Sequence, residues 1–554
     1  MSIQRRALRC VAALVVVAAL TACSQGGNTQ AGTGAGGGNS WTKPGVLRWA
    51  ANAEPDNMDP VVGNQQTEVD LSMFWAGYLF NWSDQNQLYP ELATVEPTLA
   101  NGGISKDGLT ITYHLRKGVK WQDGAPFSAD DVIYTWQQVN NPANFVSSTV
   151  GYDKTYITKI DKVDDYTIVV HLAHKWAPFV NNFFTMGPTP YPILPKHILS
   201  KYPNINKVPF NIIPIGTGPF KVVEYQKGSL IKMVANPNYW RGPPKLKEID
   251  YEIIPDENTI LTELEAHDID FEYYAPASQA PQLNRLTGYQ IYLTPFTQYG
   301  QIALNMQHPP LDDVRVRQAL AYAIDSRTLI HNISHDVYVP ADSDQPPFLW
   351  AYNRDVKKYP FDTNKADQLL ESAGWTMSAD GYRHKNGQTL EISLDGVIGR
   401  ADSLVQEQVL QSEWKAIGVK VDVKNYPTPL FFATYGAGGI LQGGKYDAGL
   451  LSWINGVDPD DSTLFMCDQF PPKGQNIYRF CNHELDAEEH IALSSYDPDV
   501  RKAAYYKIQE ILAEQEPMIL DWYVQRQDVA NSDLKNYKPA HAVTTFWNTW
   551  EWEI

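Results

Sequence analysis

Apolar and polar positions alternate most cleanly in the stretch 109–139. Ile111, Tyr113 and Leu115 interleave with Thr110, Thr112 and His114, the period of a half-buried strand. Lys117-Gly118 predicts a turn before Val119 and Trp121 resume the alternation, which reads as a hairpin-like element, and Asp123-Gly124 turns the chain again. Ser128 with Asp131 three residues on resembles a capping box. The helix that follows carries Val132, Ile133, Trp136 and Val139 on one face.

The same reading extends over the chain. Residues 46–49 form a strand, 54–60 a rigid loop and 69–79 a helix, and 166–172 is a further strand. Residues 222–233 and 246–254 are extended, and 258–266 is a helix. The apolar strand 302–305 leads through Pro309-Pro310 into a helix capped by Asp312. Beyond it, a helix over 364–373 stops at Gly374, a strand covers 389–394, a helix over 404–416 stops at Gly418 and a strand covers 419–423. That alternation predicts βα units and a largely parallel sheet. A helix over 501–513 and an apolar strand over 518–524 precede a Trp-rich end.

The first residues change the picture from fold to compartment. Arg5, Arg6 and Arg9, the apolar run 11–20 and Leu20-Thr-Ala-Cys23 read as a signal peptide over 1–22 with a lipobox. The run is too short for a stable span, and Cys23 stands where bacterial lipoprotein processing acylates and cleaves. Residues 23–45 then read as the lipid-anchor cysteine and a flexible linker, of which 24–40 is small and polar. Removing the leader's three arginines takes the formal charge from −18 to −21, which argues against nucleic acid and anionic lipid as main partners. Sixteen Trp, 31 Tyr and 19 Phe exceed what a leader or tether explains. Most should be core, and some suit a small-molecule pocket.

Candidate catalytic motifs fail their context. Gly32 to Gly37 satisfies G-x-G-x-x-G with no strand before it and no helix after it, and the near P-loop 439–445 is followed by Tyr446 where a hydroxyl must meet magnesium. There is no H-E-x-x-H and no G-x-S-x-G. We expect no enzyme, no cofactor and no metal. Cys467 and Cys481, the pair left in an exported chain, read as a disulfide; as metal ligands they lack two partners.

The order L-R-K-G-V-K-W-Q-D-G-A-P-F-S-A-D-D-V, Leu115 to Val132, resembles the signature of family 5 extracytoplasmic solute-binding proteins, the oligopeptide and dipeptide receptors of ABC importers. Gly216-Thr-Gly-Pro-Phe220, Asn236-Pro-Asn-Tyr-Trp240, and 311–320 followed by Ala323-Ile-Asp325 match in the same order. The resemblance implies an α/β, two-lobed periplasmic-binding-protein-like fold with a subdomain inserted in lobe I. Lobe I would comprise 46–87, the insertion 88–214, then 215–300; lobe II would comprise 301–520, and 521–554 would return to lobe I. It implies a monomeric, lipid-anchored receptor on the extracytoplasmic face of the membrane that hands a peptide or other small solute to ABC permease subunits.

In that family a Trp ending a lobe II strand flanks the ligand and an Asp three residues later binds the peptide's amino terminus. Here the Trp is Trp453, but the third residue on is Gly456, so Asn455 or Asp458 would have to substitute unless the clamp is absent. Asp521, Trp522 and Tyr523 on the interlobe strand, with Gln65 and Tyr299 from the lobe I side, complete the expected ligand set. An oligosaccharide receptor is the alternative, since a lost carboxylate and abundant aromatic faces suit sugar rings. An exported hydrolase and a scaffold without ligand are the readings from other classes.

Overall fold

The computed structural model of the chain describes residues 38–63, 65–187, 189–399, 401–541 and 545–554. The expected leader, Cys23 and most of the linker lie outside these residues. The linker's last residues are docked: Trp41 stacks on His267 at 4.8 Å, and Asn39 Nδ2 donates to the Gly288 carbonyl at 2.9 Å.

One sheet runs through the molecule. From edge to edge its strands are Lys420–Tyr426, Glu391–Val397, Ala448–Ile454, Tyr289–Leu304, Met518–Asn531, Phe271–Ala275, Val46–Ala51, Glu248–Ile253, Leu230–Ala235 and Phe220–Gln226. The first three are mutually parallel, as the βα alternation predicts, and Val46–Ala51 is parallel to both its neighbours. Tyr289–Leu304 and Met518–Asn531 are long antiparallel strands shared by both halves. Residues 289–295 pair with 525–531 on the lobe I side and 299–303 with 518–523 on the lobe II side, the register shifting between Pro295 and Tyr299. The second of these strands is twice the length the apolar run 518–524 indicates. Its continuation through Arg526 and Asp528 is polar in sequence yet buried.

Lobe II buries both faces of its sheet. Leu320, Leu370, Leu394 and Trp414 form one core, and Phe431, Phe465, Tyr478 and Ile508 another. Lobe I is built on Trp49, Phe74, Phe271, Phe546 and Trp552. The same core runs into a separate antiparallel sheet of Thr110–His114, Thr167–Leu172 and Ile157–Asp164. Here the pairing differs from the hairpin the alternation predicts, since Thr110–His114 pairs with Thr167–Leu172. Val119 and Trp121 are buried in a tight loop closed by the bridge Lys120 to Pro126.

The capping box forms: Ser128 N donates to Asp131 Oδ2 at 2.9 Å, and Asp130 N to Ser128 Oγ at 3.3 Å. The first helix is Gln66–Trp75 and not 69–79. Gln65 N donates to Glu68 Oε2 at 3.0 Å and starts the helix early, and Gly77 follows its end. The helix Val314–Tyr322 is capped by Asp313 and not Asp312.

The family motifs meet one another. Gln122 of the first donates through Nε2 to the Phe220 carbonyl at 2.6 Å and accepts from Gly216 N at 3.1 Å, and Asn236 Nδ2 donates to the Gly218 carbonyl at 3.0 Å. A Cβ on Gly216 would stand 1.8 Å from the Trp75 carbonyl oxygen, so only glycine fits. In the fourth motif, Arg317 is buried and donates to the Leu311 and Glu516 carbonyls at 2.8 and 3.1 Å. These motifs hold the frame together.

Candidate ligand cleft between the lobes

A cleft of about 930 Å³ opens where the parallel strands of both lobes end. From lobe I come Trp49 and Ala51–Ala53 at the end of the opening strand, Asp70 on the first helix, and Tyr273 and Tyr274. From lobe II come Tyr338, Gly399, Val405 and Ile454. Carboxyl ends of parallel strands leave side chains and loops free to meet a ligand, which places the cleft where α/β proteins bind solutes. Phe296 and Gln298, between the two halves of the first shared strand, form part of its wall, and Tyr274 Oη donates to Gln298 Oε1 at 2.8 Å.

Six rings line it: Trp49, Tyr251, Tyr273, Tyr274, Phe296 and Tyr338. Behind them, Arg526 is fully buried, its guanidinium 5.0 Å from the Tyr273 ring and 5.5 Å from Phe296, and it pairs with Asp528 at 3.1 Å. Asp70 is 6% exposed and accepts from Gln66 Nε2 at 2.9 Å; burial pushes its carboxyl up to about 7 against that bond and the pull of Arg526. Asp70 and Glu257 are the charged side chains of the lining; no Lys, Arg or His stands among its described residues.

The residues expected at the ligand are placed as follows. Trp453 and Tyr299 are register partners and pack into the second lobe II core, while their neighbours Ile454 and Gln298, also partners, line the cleft. Successive strand residues point to opposite faces, so one step in sequence separates the two sets. Asn455 is buried and ties its loop down, its N bonding to the Thr297 carbonyl at 3.0 Å and its Nδ2 to the Asp344 carbonyl at 2.6 Å. Asp458 forms a buried two-pronged pair with Arg501 at 2.7 and 2.8 Å and accepts from Asn181 Nδ2 at 2.8 Å.

Asp521 sits where the register slips by one residue between Gly300 and Gln301. It accepts from Gln406 Nε2 at 2.8 Å. Trp522 packs in the first lobe II core and stacks on Tyr338 of the cleft at 5.9 Å, and Tyr523 Oη donates to the Ser343 carbonyl at 2.8 Å. Gln65 borders a neighbouring cavity of about 210 Å³ between the first helix and residues 147–191, and Gln66 borders both cavities. Cys467 and Cys481 are joined, their Cα atoms 4.4 Å apart, and neither belongs to the cleft lining.

Asp70, Trp49, Tyr273 and Phe296 were not singled out by sequence. They come from two stretches about 200 residues apart, 49–70 and 273–296, and the one local signal was Trp49 at the carboxyl end of the opening strand.

Two lobes joined by shared strands, with a wide aromatic cleft between them, define a solute-binding protein of the periplasmic-binding type. Residues 87–473 match the model of the bacterial extracellular solute-binding proteins, family 5, and the chain belongs to that family. It is 27% identical to the dipeptide-binding protein of Escherichia coli K12 over 78% of this chain and 82% of that one. It is 30% identical to heme-binding protein A of Haemophilus influenzae over 80% and 82%. The structure of the oligopeptide-binding protein AppA from Bacillus subtilis in complex with a nonapeptide superposes with a TM-score of 0.75 at 26% identity, covering 92% of this chain and 99% of that one. These relatives are binding proteins and not enzymes.

Proposed function

We propose that the chain is the receptor of an ABC importer, capturing a peptide-like solute in the interlobe cleft and delivering it to a membrane permease. The observation that carries the reading is the cleft itself: an aromatic-lined space at the strand ends of both lobes, crossed by two shared strands about which the lobes can rotate. The relatives' ligands, a dipeptide, heme and a nonapeptide, support a solute of this size without choosing among them. We take lobe I as 46–87 and 215–300 with the return 521–554, the insertion as 88–214 and lobe II as 301–520. Cys23 is the lipid anchor on the extracytoplasmic face, following cleavage of 1–22, and the receptor works as a monomer. Among the described residues no helix is long and apolar enough to cross a membrane.

An oligosaccharide is the second reading, favoured by the six rings of the cleft and by Gly456 at the position of the amine-binding Asp. The deciding measurement is a mass spectrum of what the mature protein releases on denaturation, with X-ray scattering before and after that compound is added back. A peptide that shrinks the radius of gyration supports the first reading and a sugar that does so supports the second. A protein that carries no compound and changes shape with neither a peptide nor a sugar mixture is not a receptor of this kind.

A further inference from the structure

We infer that Asp70 is the counter-charge for a cationic group of the solute, an ammonium or a guanidinium, and that the cleft therefore selects cationic ligands. This rests on the cleft being the solute site. The amine-binding acid of peptide receptors is missing at Gly456, and neither of the other acids in the expected ligand set is free to serve. Asp458 already holds Arg501 and Asn181, and Asp521 is enclosed against Gln406 without lining the cleft. A buried ammonium needs an ionised partner, so a solute with a free amine must find its acid elsewhere.

Asp70 meets that need on geometry. It lines the cleft from lobe I, and among the described residues its carboxylate accepts one side-chain hydrogen bond, from Gln66. Arg526, whose charge pulls on it, is already paired with Asp528, which also accepts from Tyr537 Oη at 2.7 Å. The Asp70 charge is therefore left over in a space whose described lining holds no base. The hydroxyls of Tyr251 and Tyr273 lie close enough to feel the Asp70 charge, and their rings line the same space together with Trp49. A solute led by a carboxylate would meet two acids, Asp70 and Glu257, and no described cation. The carboxyl, raised to about 7, ionises at little cost when a cation arrives.

The test uses a chymotryptic digest of casein, offered to the mature protein as prepared and after complete acetylation of its amines, with retained peptides read by mass spectrometry. Phenethylamine and spermidine are offered separately in a thermal-shift assay. The unmodified digest should be retained. Acetylation should cut retention tenfold or more except for Arg peptides, and Asp70→Asn should cut it by as much while leaving the melting temperature of the empty protein within a degree or two. Equal retention of Arg-free peptides before and after acetylation overturns the inference and leaves the peptide receptor standing. Retention of neither digest, with an Asp70-dependent shift by an amine, overturns the peptide reading and leaves the inference standing. No binding of digest or amine overturns it, as does undiminished binding by a folded Asp70→Asn variant. The acetylation comparison decides the matter even if that variant does not fold.

Discussion

At Asp521 the second shared strand carries one residue more than its neighbour, and the bulge encloses an acid against Gln406. Burial is the cause that pushes its carboxyl up to about 8, opposed by the Gln406 bond. The folded state thus holds a proton that the unfolded chain, with an ordinary value near 4, gives up. Its contribution to stability is complete below about pH 4 and is lost as pH rises through 8. Glu272, raised to about 8 by burial and then by Glu257 and Asp528, acts in the same direction. Unfolding followed by urea should show stability falling between pH 6 and pH 8. Asp521→Asn, which keeps the shape and removes the titration, should lessen that fall by about 2 kcal/mol, taking 1.36 kcal/mol per unit of pH. A variant with an unchanged pH profile would mean that Asp521 is ionised in the fold.

Elements with local punctuation were legible in the sequence and their partners were not. The capping box at Ser128, the glycine stops at Gly374 and Gly418 and the βα alternation of lobe II all stand where residue chemistry places them, because each depends on a few neighbours in the chain. The sheet partner of Thr110–His114, 53 or more residues away, left no local mark, nor did the choice between Trp453 and Ile454. The disulfide element combines both cases. Its pairing was readable from cysteine count, whereas the bonds that also hold the loop were not: Asn476 Nδ2 donates to the Met466 and Phe480 carbonyls at 3.1 and 2.8 Å, and Tyr446 Oη to Ile477 at 2.9 Å. Loop-closure entropy alone assigns the crosslink roughly 3 kcal/mol, and these bonds restrain the same loop in the folded state. Calorimetry with and without a thiol reductant should therefore show a modest loss, no larger than that figure, with one cooperative transition in both. Collapse of the transition on reduction would show that the loop anchors lobe II.

Across the whole molecule, the lobes touch away from the shared strands as well. Asn181 meets Asp458, Trp176 Nε1 reaches Asp460 at 3.4 Å, and Ala177 N donates to the Leu493 carbonyl at 2.7 Å. Closure about the shared strands would make or break these contacts together, which gives the two-state motion of the proposed receptor a second set of groups besides the ligand.

The order of the strands has a consequence for biosynthesis. Met518–Asn531, the last of the sheet's strands in chain order, lies in the middle of the sheet between Tyr289–Leu304 and Phe271–Ala275, and without it both of those strands present bare edges. Neither lobe can finish folding on a ribosome while residues 518–531 are still inside it. A chain ending at residue 517 should be degraded by protease at concentrations the full chain resists, and resistance equal to the full chain would show that each lobe folds by itself. For a polypeptide that the proposed leader sends through a membrane pore as an extended thread, such late completion is an advantage. The last strand to arrive delays the compact state until transit has begun.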